Sequence, residues 1–221
     1  MNKKVVITGS TGMVGSKVLE LCLQKNDIAE VVALVRKPTQ IAHEKYKEFI
    51  VPDFLNYDSF VHLFHEVDIV YYCLGAYTGT VPPKEFRLIN YDYPLHLAKA
   101  IHNQSPKAVF CLLSGQGADR TEKSKMQFAR EKGAIENALA SLGFQSFYSL
   151  RPGYIYPTTK RKEPNFFYTL SRMVYPIIKL LGNNLSITDQ QLAEVIYTVG
   201  IHGHPQAILE NKDMRLLASK N

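Results

Sequence analysis

The segment Thr8-Gly9-Ser10-Thr11-Gly12-Met13-Val14-Gly15 spaces three glycines at intervals of three residues. That spacing suits phosphate binding. Gly9 permits a tight exit from a strand, Gly12 lets backbone amides approach a pyrophosphate, and Gly15 lets the following helix pack closely. A β-branched run over 5–8 precedes the turn and a helix-like stretch over 16–23 follows it, so the helix N-terminus also favours an anion. A glycine turn without a ligand is the plainer alternative. Its position between strand and helix favours a dinucleotide site in which Gly9, Ser10, Thr11, Gly12, Met13, Val14 and Gly15 surround the phosphates.

A second chemical signal follows the run 31–35. An NAD-selective site presents Asp or Glu there to the adenosine ribose, whereas this chain has Arg36 and Lys37. A guanidinium stacks on adenine and pairs with a 2′-phosphate, so NADP is the expected nucleotide and NAD the less favoured one. A solvated basic loop is the alternative. Cys22, Cys73 and Cys111 lie in apolar stretches without paired spacing and read as reduced core thiols. His62 and His65 lack a third ligand at metal-binding spacing, and His202 and His204 flank a glycine, so no metal site is expected.

These residues need a scaffold to bring them together. The chain has 221 residues, 46% hydrophobic and 21% charged, which is enough for one buried core and too apolar for disorder. Strand-like runs at 5–8, 31–35, 49–51, 68–74, 108–113 and 147–150 alternate with helix-like stretches. They lack strict polar alternation, as expected of strands covered on both faces. The expected fold is α/β, a doubly wound parallel sheet of the Rossmann type in a single domain over 1–221, with an irregular substrate-side or lid region over 154–221. Ser186-Ile187-Thr188-Asp189 reads as a short strand, with Thr188 or Asp189 capping a last helix. The apolar run behind Lys3 and Lys4 is too short for a signal-peptide core, and no run of about 18 apolar residues exists, so a soluble cytoplasmic protein is expected.

With these features in place, the chain resembles the short-chain dehydrogenase/reductases, in their atypical NAD(P)-binding branch. The likeness rests on the glycine turn, Asp53-Phe54, Tyr72-Cys73-Leu74-Gly75, Leu112-Leu113-Ser114-Gly115-Gln116-Gly117-Ala118-Asp119, Lys132-Gly133-Ala134-Ile135-Glu136 and Arg151-Pro152-Gly153. It implies that Asp53, beside Phe54, contacts the adenine amino group. Leu74 and Gly75 would line the cofactor, and Pro152 and Gly153 would flank the nicotinamide. For Asp53, a turn role before a helix-like stretch is an equal alternative.

The same resemblance implies a catalytic tyrosine four residues before a lysine, assisted by a serine. Lys132 is present, but the tyrosine position holds Phe128, which neither gives nor takes a proton. Phe128, Ile135, Leu139 and Leu142 form a helical stripe with Lys132 in its gap. Lys132 is expected to grip the nicotinamide ribose, with snorkelling to solvent as the alternative. Ser114 is the serine candidate, although the next position is Gly115. Ser124, Tyr154, Tyr156 or a water are substitute acids, and Asn90 either holds a water or is an exposed helix residue.

Net charge is +6, and between residues 154 and 182 Lys160, Arg161, Lys162, Arg172 and Lys179 face only Glu163. The segment reads as a lid for an acidic ligand, a membrane-surface or subunit contact over 160–181, or a solvated loop before a buried helix. Nucleic acid is not an expected partner. The sequence therefore points to an NADP(H)-binding oxidoreductase of a small carbonyl or related substrate with a non-standard proton donor. The alternative is a non-enzymatic NADPH-sensing scaffold.

Overall fold

The computed structural model describes residues 2–159 and 185–219. The basic cluster Lys160-Arg161-Lys162 and the apolar stretch that follows it lie outside the described residues. The strands are β1 (Lys3–Thr8), β2 (Ile28–Val35), β3 (Tyr46–Ile50), β4 (Ile69–Tyr72), β5 (Val109–Leu113), β6 (Ser146–Arg151), β7 (Tyr154–Tyr156), β8 (Ser186–Thr188) and β9 (Ile208–Glu210). The α-helices are α1 (Gly15–Gln24), α2 (Pro83–Arg87), α3 (Tyr93–Gln104), α4 (Gln127–Ala140), α5 (Asp189–His202) and α6 (Asn211–Ala218). Seven strands form one sheet of order β3-β2-β1-β4-β5-β6-β9, parallel throughout, and β7 pairs with β8 separately.

The period-2 alternation of a strand divides the core in two. Val5, Ile7, Ile69 and Tyr71 face α1 and α5, while Val6, Val70, Tyr72 and Phe110 face α3, α4 and a 3₁₀ turn over Asp58–Phe64. Both faces are apolar because both are covered, which is why the strands read as continuous hydrophobic runs. The strand order reverses between β1 and β4, and ligands of open α/β sheets bind beyond the carboxyl ends at that crevice.

The irregular region expected over 154–221 contains more of the scaffold than the sequence suggested. β9 extends the main sheet beside β6, α5 packs on α1 and the sheet, and α6 follows β9. β7 and β9, of three residues each, escape sequence reading. The predicted short strand and cap at 186–189 correspond to β8 and a capping box. In that box Gln191 N–H donates to Thr188 Oγ1 at 3.1 Å and Thr188 N–H to Gln191 Oε1 at 3.3 Å. The helix so capped is α5, which α6 follows.

Candidate active site

At the carboxyl edge of the sheet a cleft of about 290 Å³ opens under the glycine turn. The register of β1 and β4 sets its back wall. Thr8 pairs with Tyr72, so Gly9 leaves β1 alongside Cys73 with φ +70, and a Cβ there would lie 2.6 Å from the Cys73 carbonyl. Only glycine fits both the left-handed backbone and that approach. Gly15 meets the same constraint from the helix side, since its Cβ would lie 2.2 Å from Gly9 O. The turn therefore folds into a tight cradle at the start of α1, as phosphate binding requires.

Around the cradle the structure gathers many of the residues singled out from sequence. Gly12, Met13, Val14, Leu74, Gly75, Ser114, Lys132, Pro152 and Gly153 all line the cleft, while Gly9, Ser10, Thr11 and Gly15 shape its turn. Arg36 and Lys37 stand exposed beyond the carboxyl end of β2, on the same edge of the sheet. Asp53 is also exposed, and its Oδ1 accepts a hydrogen bond from Leu55 N–H at 2.9 Å, which makes it a turn residue in this structure. Phe54 does not present its ring to the cleft. It is buried in the core with its ring centroid 5.5 Å from that of Tyr93, because the turn at Asp53 directs the next residue inward.

Lys132 projects from α4 and is buried rather than snorkelling; its Nζ–H donates to Leu113 O at a long 3.4 Å. Burial lowers its pKa from 10.5 to about 8, against a smaller upward pull from Glu136. Opposite it, a π-helical turn over Leu88–Asp92 carries Asn90, which is buried and lines the cleft. The exposed-helix alternative for Asn90 is thereby corrected. Its Nδ2 donates to Phe86 O at 3.0 Å and Ala76 O at 3.4 Å, while Oδ1 has no hydrogen-bond partner among the described residues. Asn90 Oδ1 and Lys132 Nζ lie 3.3 and 3.9 Å from the point where a Gly75 Cβ would stand.

Ser114 lines the cleft, but its hydroxyl is engaged elsewhere. Its hydroxyl donates to Glu136 Oε1 at 2.6 Å, in a buried cluster where Ser149 donates at 2.7 Å and Arg151 Nε at 2.9 Å. Arg151 Nη2 pairs with Glu136 Oε2, and Arg151 Nη1 reaches Glu210 Oε1 at 2.9 Å. A carboxylate accepting this many bonds keeps the serine proton directed away from the cleft. Phe128 and Gly115 are matched: a Cβ on Gly115 would lie 2.5 Å from Phe128 Cζ, so the ring occupies the space of a side chain there. Among the proposed substitute acids, Tyr154 and Tyr156 flank Ile155, the β7 residue that lines the cleft, and Ser124 is not among the lining residues. Sequence reading missed Tyr77 and Thr78, which line the cleft from the loop after β4.

A parallel sheet of this order, with a glycine cradle at its switch point and a buried lysine on α4, defines a Rossmann protein of the short-chain dehydrogenase/reductase superfamily. Residues 5–142 match the model of the NAD dependent epimerase/dehydratase family, and the chain belongs to that NAD(P)-binding family. The Aspergillus niger protein named "Protein fmp52, mitochondrial" is 30% identical over 210 residues, covering 92% of this chain and 88% of its own. The short chain dehydrogenase of Burkholderia cenocepacia, solved in complex with NADP, shares the fold with TM-score 0.68 and 15% identity over 99% of this chain and 92% of that one. The enzyme of Leptospira borgpetersenii, solved with bound NAD+, matches with TM-score 0.68 and 14% identity over 97% and 93%. The curated relatives carry "mitochondrial" in their names, which overturns the cytoplasmic expectation. That expectation rested on a short apolar run, a property that separates secretory signals from other segments and does not bear on mitochondrial targeting.

Proposed function

We propose that the chain is an NADP(H)-binding oxidoreductase of a small carbonyl or related acceptor, whose proton donor is not a tyrosine at position 128. The carrying observation is the cleft itself: a cradle that admits no Cβ at Gly9 or Gly15 opens onto a buried lysine and an unpartnered Asn90 Oδ1. Those features fit a dinucleotide, which when bound supplies the hydride. In this reading the amides of Gly12, Met13 and Val14 hold the pyrophosphate, and Arg36 and Lys37 select the 2′-phosphate. Leu74 and Gly75 line the cofactor, Pro152 and Gly153 flank the nicotinamide, and Lys132 grips its ribose. The relatives' names extend to this chain as a proposed mitochondrial location.

The test is a titration of nucleotide-stripped protein with NADPH and NADH, comparing wild type with Arg36→Asp. Loss of charge-assisted bonds of about 1.5–3 kcal/mol lowers NADPH affinity roughly ten- to a hundredfold in the variant and leaves NADH binding less affected. Binding of neither nucleotide refutes the proposal. A second reading, an NADPH-sensing scaffold, is favoured by the Phe128 ring on Gly115 and by the engagement of Ser114 with Glu136. It predicts binding without NADPH oxidation across a panel of aldehydes, ketones and quinones.

A further inference from the structure

Within the oxidoreductase reading, we infer that Lys132 is itself the proton donor, passing an Nζ proton to the substrate oxygen at the position between Lys132 and Asn90. The inference deepens that reading and rests on it. Three placements support it. Phe128 lies one turn before Lys132 on α4 and fills the space over Gly115 with a ring that carries no exchangeable proton. Ser114 directs its hydroxyl to Glu136. Among the described residues Lys132 Nζ is held by one long contact to Leu113 O and Asn90 Oδ1 has no partner, so a buried ammonium has donor capacity to spare near that oxygen.

The step balances. A hydride from a reduced nicotinamide dinucleotide forms the new C–H bond, the carbonyl π pair moves to oxygen, and one Nζ–H bond of the ammonium breaks as O–H forms. Lys132 is left a neutral amine and regains its proton from solvent, while the dinucleotide leaves oxidised. A product hydroxyl at this position also donates to Asn90 Oδ1, a buried acceptor with no partner among the described residues.

The charged surroundings permit this cycle near neutral pH. Burial lowers the Lys132 pKa to about 8, so the group both holds and releases a proton in that range. On its own helix, Glu136 is matched by Arg151 from β6, and Glu131 pairs with Arg87 from α2. Just past β4, the Cys73 thiol is pushed up to about 12 by burial and stays protonated, and Tyr77 lines the cleft from the loop that follows. The Asp119 carboxylate, in the loop packed on Gly133, is held below its ordinary range by hydrogen bonds from Thr121 and Ser124.

The experiment pairs a titration with kinetics. ¹⁵N NMR of the Lys132 side chain in the nucleotide-free protein, assigned by its loss in Lys132→Met, gives a midpoint near 8. With phenanthrenequinone as the probe acceptor in excess, wild-type kcat/KM for NADPH, which reports the groups of the free protein, falls about tenfold per pH unit above that same midpoint. Lys132→Arg keeps a cation for the ribose but does not deprotonate, so nucleotide binding persists while kcat drops at least a hundredfold. Adding Phe128→Tyr to that variant restores a hydroxyl donor and recovers turnover. An alkaline limb that does not follow the Lys132 titration overturns the inference, as does a Lys132→Arg enzyme with wild-type kcat. NADPH binding without turnover in the wild type overturns it in favour of the scaffold reading, and absence of NADPH binding removes the oxidoreductase reading as well.

Discussion

A lysine held in a cleft against burial should weaken the fold it serves, and Lys132→Met measures by how much. Its pKa falls from 10.5 to about 8. At 1.36 kcal/mol per pH unit, that corresponds to about 3 kcal/mol by which the folded chain disfavours the ammonium. The sign follows from proton counting. Below about pH 8 the lysine is protonated folded and unfolded, and the full destabilisation is present. Between about 8 and 10.5 only the unfolded chain holds the proton, so stability rises with pH, and above 10.5 the destabilisation is gone. Replacing the lysine by methionine keeps the packing and removes the titration, with loss of the long 3.4 Å bond to Leu113 O. Allowing about 1 kcal/mol for that bond, Lys132→Met is more stable than wild type by about 2 kcal/mol at pH 7. The advantage shrinks by about 2–3 kcal/mol by pH 10. Urea unfolding of both proteins at the two pH values checks this, and the change between them isolates the ammonium from pH-independent packing. A variant less stable than wild type by the same amount at both pH values would refute the reasoning.

Three further outcomes follow from the geometry. Gly9→Ala forces a side chain into a left-handed backbone against the Cys73 carbonyl, destabilising the fold by about 2 kcal/mol or more and abolishing nucleotide binding by calorimetry. Gly115→Ala drives a methyl into the Phe128 ring and lowers stability by about 1–3 kcal/mol. In a double-mutant cycle Phe128→Ala relieves most of that loss, and additive effects would disprove the contact. Glu136→Gln leaves Arg151 half-paired in a buried site and costs about 3–5 kcal/mol by denaturant midpoint; a loss under about 1 kcal/mol would show the cluster to be loosely held.

The legible parts of this protein are those whose signal is contiguous in the chain. The glycine cradle is one eight-residue segment between a strand and a helix, and the Phe128 and Lys132 pair is one helical turn, so both survive translation from sequence to structure. The illegible parts depend on a tertiary partner. Asn90 reads as an exposed helix residue from its polar type, but on a π-helical turn it is buried at the cleft. Tyr77 and Thr78 lie in a loop without periodicity, and only the fold shows that this loop borders the site. Glu136 and Arg151 each stood in a recognisable motif, yet their pairing needs α4 to pack on β6. The available signal was a lone arginine ending an apolar strand and a glutamate one turn past Lys132 on the buried helix face.

That pairing connects the scaffold to the chemistry. Glu136 is the group that raises the Lys132 proton affinity, and its pull is smaller than the effect of burial. Arg151 stands beside Glu136 with two nitrogens and partly neutralises it, while its third nitrogen holds Glu210 at the N-cap of α6. Releasing Arg151 from Glu136 would expose Lys132 to an unopposed carboxylate and raise its pKa back toward the ordinary value. The low proton affinity of the lysine is therefore set by burial, against the smaller pull of Glu136, a carboxylate that Arg151 holds. α6 begins at Glu210, so the same arginine ties the start of that helix to the buried cluster around Glu136.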